Sequence, residues 1–469
     1  MTEAALSLAP GVNFYTLRLG DRTVGLASSR LDTVPDGFLL EDLMSLELPA
    51  LGQTGTAVVR TRVNLSPALV MKDFSFSLDS DVGRYLARGV VQGDTLLQVD
   101  LEAGGSRQTV THRLSQSPIF SAVLPIRLAV GEGLEVGTRH RFPTFDPSSL
   151  STRAVDVRVT EHDTIEIPDS AEFDPGTGRW TVAHLDSIPA WRIVEVYGGV
   201  NVESWVDGDG RVIRAASPLG FSMEKTEYEL ARQAQEALQG LDESPLDDDV
   251  ILATAIQSDV DLREVQGYEE LRFLLSGVDL EGFQLQGGRQ RLAGDTLIVK
   301  REEWPAIHPD YDELPYPRMD FLEFLQPEPL IQSDDELIIR AAERMARWQN
   351  IGNNDPKRIT RRLTRGIHGL LEKEVTFSIP NAIQVLDAGR GDCNEHTVLF
   401  VAMARALGLP ARTAVGLVYV NGAFFYHAWP EVWLGQWVAV DPTFGQYPAD
   451  ATHLRFVIGG LAQQVEILR

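Results

Sequence analysis

Hydrophobic periodicity splits this chain into two kinds of polypeptide, and a change of period along one chain excludes a single repeating architecture. Up to about residue 215, apolar and β-branched residues fall in short alternating runs punctuated by Gly, Asp and Asn. Runs 14–19 and 24–27 flank a Gly20-Asp21 turn, while runs 85–91, 95–101 and 108–114 are separated by Gln92-Gly93-Asp94 and Ala103-Gly104-Gly105. Runs 155–159 with 164–167, and 193–196 with 200–206 and 212–214, continue the series. Consecutive hairpins of this kind predict an antiparallel meander, and a curved sheet or open barrel would bury one face of so many short strands.

The period then lengthens. Tyr228, Ala231, Ala234 and Leu238 lie at helical spacing within residues 224–241, ahead of the acidic run Asp242-Glu243 and Asp247-Asp248-Asp249 around Pro245. This predicts a helix and an exposed linker. A second β segment follows at 271–275, 283–285 and 296–300, where Gly294-Asp295-Thr296-Leu297-Ile298 echoes Gly93-Asp94-Thr95-Leu96-Leu97. A shared hairpin turn explains the echo without an internal duplication. Between Trp304 and Pro329 lie Pro305, Pro309, Pro315, Pro317, Pro327 and Pro329. Proline at this density blocks helix and central strand alike, so a linker lying across a surface is expected. From Ser333 the signal is helical: Ser333-Asp334-Asp335-Glu336 is a capping-box start before Leu337, Ala341, Met345 and Trp348. Asp355-Pro356 opens a second helix with Ile359, Leu363, Ile367 and Leu370 on one face. Its other side, Lys357, Arg358, Arg361, Arg362 and Arg365, is the most basic stretch of the chain and reads as a solvated face, with substrate docking the minority reading.

The 469 residues carry 42 Lys+Arg against 67 Asp+Glu, a formal net charge of −25. Such a field repels nucleic-acid phosphates and anionic lipid, so neither partner is expected without a basic patch working against it. No window reaches the roughly 18 consecutive apolar residues of a membrane-spanning helix. The opening Met1-Thr2-Glu3-Ala4-Ala5 lacks a basic n-region and an apolar h-region, which predicts either a cytoplasmic protein or one whose signal has been removed. Cys393 is the one cysteine, so an internal disulfide and a cysteine-based metal cage are excluded.

Cys393 stands in Gly389-Arg390-Gly391-Asp392-Cys393-Asn394-Glu395-His396, directly before a helical apolar pattern at 397–407 closed by Gly408 and Pro410. A cysteine at a helix N-terminus meets unpaired backbone N–H groups and the positive end of the dipole, which favour a thiolate and can donate to an oxyanion. The glycines before it would let a substrate backbone approach. A buried structural thiol is the common alternative. Strands at 412–420 and 423–434 are joined by Asn421-Gly422, a strong two-residue hairpin signal. Under that loop Val420 pairs with Ala423 and His427 lies opposite Gly416, with room beside the imidazole. A three-residue turn at 434–436 would pair Trp433 with Trp437 and set Asp441 opposite Trp429, two residues from His427 on the same face. A two-residue turn would put Asp441 and His427 on opposite faces. Cys393, His427 and Asp441, separated by 34 and 14 residues, thus form a candidate nucleophile, base and orienter. Taken singly, His427 could be a half-buried strand histidine and Asp441 before Pro442 a strand end.

Gly391-Asp392-Cys393 with Glu395-His396, Ala404-Arg405-Ala406-Leu407-Gly408-Leu409-Pro410-Ala411-Arg412, His427-Ala428-Trp429-Pro430-Glu431-Val432 and Trp437-Val438-Ala439-Val440-Asp441-Pro442-Thr443 together resemble the catalytic core of the transglutaminase-like superfamily. The resemblance covers residues 333–461. It implies a papain-like α+β fold with Cys393, His427 and Asp441 as nucleophile, base and orienter. It also implies chemistry through a thioester: amide hydrolysis, glutamine transamidation or deglycosylation of asparagine. The domains expected are then 1–230, an antiparallel β domain; 231–302, a helix with acidic linker and second β segment; 303–330, a Pro-rich linker; and 331–469, a transglutaminase-like catalytic domain. The β-rich N-terminal portion is reminiscent of domains that accompany such cores in bacterial envelope proteins, which implies an extracytoplasmic place. The arylamine N-acetyltransferase class uses the same residue order but normally places its cysteine near the chain start. No cofactor and no metal are expected; calcium regulation is not expected because the calcium-dependent cross-linkers of this superfamily carry metal-binding and barrel domains downstream of the core, where little of this chain follows.

His396 one helical turn after Cys393 invites a metal reading, but only His427 and Asp441 could complete such a site. Trp429 and Trp433 alternate with His427 and read as packing beneath the site, with substrate contact by Trp429 as the alternative. Tyr426 and Trp437 are candidates to line the cleft, Gln384 is a candidate side-chain contact for substrate, and the backbone N–H of Cys393 is the candidate oxyanion donor. The expected function is a cysteine acyl-transfer enzyme acting on peptide or protein amides, with hydrolysis ahead of transamidation. The rival is a binding or scaffold protein that retains the core while its β domains hold a partner protein.

Overall fold

The computed structural model describes the chain apart from residues 1–7, 21, 51–52, 81–82, 94, 104–105, 115–117, 149, 198–199, 217–220, 239–254, 263, 277–279, 281–282, 347–353, 375–377 and 460–469. The acidic run at 242–249 and Trp348 lie outside the described residues. The chain forms two compact units, one essentially within residues 1–253 and the other essentially within 254–464.

The first unit carries a 15-stranded sheet among the described residues. Two series of consecutive strands, one running from Gly11–Leu19 to Ser106–Arg113 and the other from Phe221–Thr226 back to Ile119–Phe120, are joined where Gly11–Leu19 pairs antiparallel with Phe221–Thr226. Among the described residues the hydrogen-bonded path has two ends, and Ile119–Phe120 joins Arg139–Asp146 as a parallel pair. Alternation supplies the core, as at Val155, Val157 and Val159. Phe74 anchors it with ring centroids 5.6 Å from Phe120 and 5.2 Å from Phe145.

Two local readings change. Residues 224–226 belong to the joining strand, and the helix begins only at Tyr228 (Tyr228–Leu238), because pairing with Gly11–Leu19 overrides their helical spacing. No turn separates 155–159 from 164–167. One strand runs from Ser151 to Asp174, bulged after Val159, and returns as Arg179–Tyr197. The polar stretch Thr160-Glu161-His162-Asp163 imitates a turn because much of this ribbon is exposed on both faces.

In the second unit, antiparallel strands β1 (Ile256–Gln257), β2 (Ala411–Val420), β3 (Ala423–Trp433), β4 (Trp437–Ala439) and β5 (Leu454–Ile458) form a sheet in the order β1-β3-β2-β5, with β4 also on β3. Helices α1 (Glu336–Ala346), α2 (Pro356–Leu370), α3 (Ala382–Ala388) and α4 (Cys393–Ala406) share a core with Val432, Val438 and Val440. The second β segment is a three-stranded sheet of Glu270–Leu274, Thr296–Lys300 and Gln290–Ala293; residues 283–285 are not a strand in it. Leu285, Leu297 and Val299 pack with Tyr419, Phe424 and Leu454.

The Pro-rich segment enters the core of this unit: Ile307, Tyr311, Leu314 and Tyr316 are buried with Ile359, Leu363 and Phe400. The Tyr311 hydroxyl donates to the Trp433 carbonyl at 2.7 Å. The basic side of α2 is not simply solvated. Lys357 Nζ donates to the carbonyls of Trp304 and Ile307, each at 2.7 Å, and Arg365 lies 5.0 Å over the Tyr447 ring.

The hairpin registers follow the spacing: Val420 pairs with Ala423, Gly416 with His427 and Trp433 with Trp437. Gly416 serves a different end from the one its place opposite His427 suggests. A Cβ there would lie 1.8 Å from the Leu454 carbonyl oxygen, so the glycine lets the bulged β5 backbone close on β2. A backbone atom cannot swing aside. Gly416→Ala should therefore lower stability by about 1–3 kcal/mol, read as an earlier denaturant midpoint of the second unit; an unchanged midpoint would refute the close-approach account.

Candidate active site

The site forms where the ladder on one side of β3 is interrupted. Among the described residues, β1 pairs with β3 only at Phe424 and Ala423, and β4 pairs from Glu431 onward. The start of α4 fills the interval. Thr397 Oγ1 donates to the Ala428 carbonyl at 3.1 Å, and the Ala428 N–H donates to the Cys393 sulfur. Residues four apart share one helix face, so Cys393 and Thr397 take up both backbone groups of the residue that follows His427.

Local chemistry fixes the helix start. Asp392 is its N-cap, accepting from the Asn394 N–H at 2.7 Å, and Glu395 accepts from the Asp392 N–H at 3.0 Å. The Asp-x-x-Glu spacing is the capping-box signature. Gly391 makes the fold-back of Glu395 possible, since a Cβ there would lie 2.3 Å from Glu395 Cβ. This supplies a structural reason for the glycine beside that of substrate approach.

His427 Nε2 and Asp441 Oδ2 are 2.7 Å apart, both side chains buried. Asp441 Oδ1 accepts the N–H groups of Thr443 and Phe444 at 2.7 and 3.0 Å. With Nε2–H donating to Asp441, Nδ1 is the basic nitrogen of a neutral His427 ring. Phe444 stacks on that ring at 5.0 Å and 25°. The spacing did not single out His453. Its Nε2 lies 2.9 Å from the same Asp441 Oδ2, and its Nδ1 lies 3.1 Å from Asp450 Oδ1. Asp450 also accepts from Thr452 and Gln446. His453 follows a turn instead of lying on β3, so no periodicity points to it. His427, Asp441 and His453 each offer a donor atom within 4.8 Å of the others; the hydrogen bonds of the chain account for that spacing.

Trp429 is fully buried beneath the site, its centroid 6.0 Å from His427 and 5.2 Å from His453. Trp437 lies 3.9 Å beneath the Arg412 guanidinium. The Tyr426 hydroxyl is buried without a hydrogen-bond partner, and burial pushes it well up. Gln384 stands in the first turn of α3, its amide oxygen 3.3 Å from Asn381 Nδ2. His396 Nδ1 donates to the Asp392 carbonyl at 2.6 Å, and burial pushes this ring toward the neutral form. On the same strand as His427, Glu431 accepts from Arg412 at 2.6 and 2.9 Å and from Arg455 at 3.0 Å. Burial would raise the Glu431 carboxyl, but the two guanidiniums hold it low.

The thiol environment differs from the helix-start expectation. Burial pushes the Cys393 thiol well up and the Asp392 charge adds to this, with the Ala428 N–H opposing. The N-cap aspartate thus places a negative charge where the dipole would favour a thiolate. For Asp441, burial acts upward but His427 and His453 outweigh it and hold the carboxyl well below the usual range. Asp450 is likewise held low, chiefly by His453, against burial. Burial disfavours a charged His453, yet Asp441 and Asp450 push it up to about 9. Carboxyls held low add stability above their unfolded pKa near 4 and lose it as pH falls through their folded values. An imidazolium held high adds stability below about 6.5 and loses it as pH rises through about 9. The denaturant midpoint of the second unit should therefore be highest between about pH 4 and 6.5 and decline on both sides. A midpoint flat from pH 6 to 10 in wild type, matching His453→Gln, would contradict a charged His453.

No curated protein matches the sequence. Among solved structures, a candidate cysteine protease from Cytophaga hutchinsonii is similar at 21% identity and a TM-score of 0.29; the match covers 35% of this chain and 55% of that one, about half its length. A β-barrel-like protein of unknown function from Brucella abortus is similar at 15% identity, over 47% of this chain and 95% of that one, with a TM-score of 0.35. A protein from Pseudomonas aeruginosa, of a family of unknown function, is similar at 14% identity, over 42% and 90%, with a TM-score of 0.25. No helix among the described residues is long and apolar enough to cross a membrane. Residues 341–442 match the model of the transglutaminase-like superfamily, and the C-terminal third of this chain carries a transglutaminase-like core.

Proposed function

We propose that the chain is a cysteine-dependent acyl-transfer enzyme acting on peptide or protein amide bonds through a thioester, with Cys393 as nucleophile, His427 as base and Asp441 as orienter. The reading takes residues 331–469 as a catalytic domain of papain-like α+β type, with residues 303–330 folded onto it. One observation carries it. The imidazole bound to buried Asp441 sits on β3 immediately before Ala428, the residue whose N–H reaches the Cys393 sulfur.

An elevated thiol pKa means that the resting nucleophile is protonated, which favours general-base activation over a standing ion pair. His427 Nδ1 takes the thiol proton as sulfur bonds to the amide carbon. The Cys393 N–H, at the first turn of α4, donates to the oxyanion. Collapse breaks the C–N bond, and the Nδ1 proton leaves with the amine, giving a thioester. Water attacking that carbon yields a carboxylate; an amine yields a new amide. In this reading Tyr426 and Gln384 contact substrate, and Trp429 supports the floor. The N-terminal β domain holds a protein substrate or partner.

The test is alkylation of Cys393 by iodoacetamide from pH 5 to 10, in wild type and His427→Ala, with a fluorogenic peptide panel and cadaverine incorporation into a glutamine donor. Wild type should alkylate measurably faster near neutral pH than His427→Ala, and either variant, Cys393→Ser or His427→Ala, should lose at least about 100-fold in turnover. Identical alkylation profiles together with no turnover on any probe would overturn the reading. Product release without cadaverine would assign hydrolysis.

A further inference from the structure

Asp441 does not serve His427 alone. We propose that His453 is a positioning residue that grips Asp441 opposite His427 and withholds part of its negative charge from the His427 ring. The inference rests on the reading of His427 as base, and it adds a determinant of the pH at which that base works.

The geometry is a buried chain, His427 to Asp441 to His453 to Asp450, with contacts of 2.7, 2.9 and 3.1 Å. Both imidazoles use Nε2 on the same carboxylate oxygen, and the rings stand 5.7 Å apart at 67°. The His453 and Asp441 side chains are fully buried, so bulk water does not screen the contact. Every neighbouring element contributes a group. His427 and Trp429 come from β3, and Phe444, Asp450 and Thr452 from the segment before β5. Arg289 donates to the carbonyls of Ala449 and Asp450 at 2.9 and 2.7 Å and lies 3.7 Å from Glu302. From α4, Cys393 and His396 feel Asp441. Asp450, low in pKa, keeps the His453 proton in place.

A carboxylate beside one imidazole raises that imidazole's pKa, and a second cation on the same oxygen reduces the effect. With His453 charged, Asp441 divides its charge between two rings while its hydrogen bond still holds the His427 ring in place. That ring remains free to accept the thiol proton. Removing the His453 charge leaves Asp441 wholly to His427, whose loss of a proton should then move to higher pH.

The experiment titrates the histidine Cε1–H resonances of the full chain by NMR, in wild type, His453→Gln and Asp450→Asn, assigning His427 and His453 by their loss in His427→Ala and His453→Gln. In wild type, His453 should keep its proton through the pH range in which His427 loses its own. His453→Gln should raise the His427 midpoint by about one pH unit or more, and Asp450→Asn should move it the same way by less. A wild-type His453 that deprotonates before His427, or a His427 midpoint unmoved in a folded variant, would overturn the proposal. The wild-type titration decides the matter if neither variant folds, with His453 then assigned through its contact with the Trp429 ring, 5.2 Å away. Iodoacetamide rates on the same samples separate the two readings. A shifted His427 midpoint with Cys393 alkylation indifferent to His427 would keep the coupling and refute the base.

Discussion

The second unit is organised around a carboxylate that cannot stay charged in its surroundings without help. Asp441 is fully buried and accepts four donors: two backbone N–H groups from the turn that follows it and two imidazole nitrogens from different parts of the chain. Burial without these partners would cost several kcal/mol. The turn after β4, the exit toward β5 and the position of β3 are therefore not independent choices. They converge on one oxygen pair, and the same convergence fixes the tautomer and plane of His427.

A second constraint is the open stretch of β3 beside Ala428. Unpaired strand edges are usually blunted or covered, and here the cover is the first turn of α4. Ala428 gives its carbonyl to Thr397 and its N–H to Cys393. The Cys393 sulfur therefore forms part of the sheet's hydrogen bonding, and its place is set by backbone, not by a long flexible side chain. Further along β3, Glu431 ties Arg412 of β2 and Arg455 of β5 into one buried ionic group, which locks the three strands in register on the same side as His427.

Local chemistry was legible in the sequence; convergence was not. Asn421-Gly422 gave the register of β2 on β3, because hairpin geometry follows from a few adjacent residues, whereas that of β4 hung on a turn length the sequence left open and the Trp433–Trp437 pair settles as three residues. Glycines and a polar run misled where the cause was remote. Gly416 answers to the β5 backbone thirty-eight residues on, and residues 160–163 are polar because an extended ribbon exposes them, not because the chain turns. Residues 224–226 of the strand Phe221–Thr226 looked helical since its partner lies some two hundred residues earlier. At the site, Cys393, His427 and Asp441 stood out by residue type and spacing. His453 and Asp450 did not, because they join through a segment with no regular period. The elevated thiol pKa was hidden for a related reason: a helix start favours a thiolate only if the cap does not bring its own negative charge, and here the cap is Asp392.

The side chain of Gln290 brackets Arg455, its oxygen accepting that residue's N–H at 2.5 Å and its Nε2 donating to that residue's carbonyl at 2.8 Å, across 165 positions of sequence. The strand so held begins one residue after His453. Non-local closures of this kind form late in folding, since their loop entropy must be met before any contact repays it. A ribosome that has released Cys393 and even His427 has not yet supplied the stretch that completes the charge cluster. The cluster is thus timed by synthesis: a growing chain holds Cys393 and His427 among unfinished neighbours, and Asp441 gains its last partner only once His453 has been made.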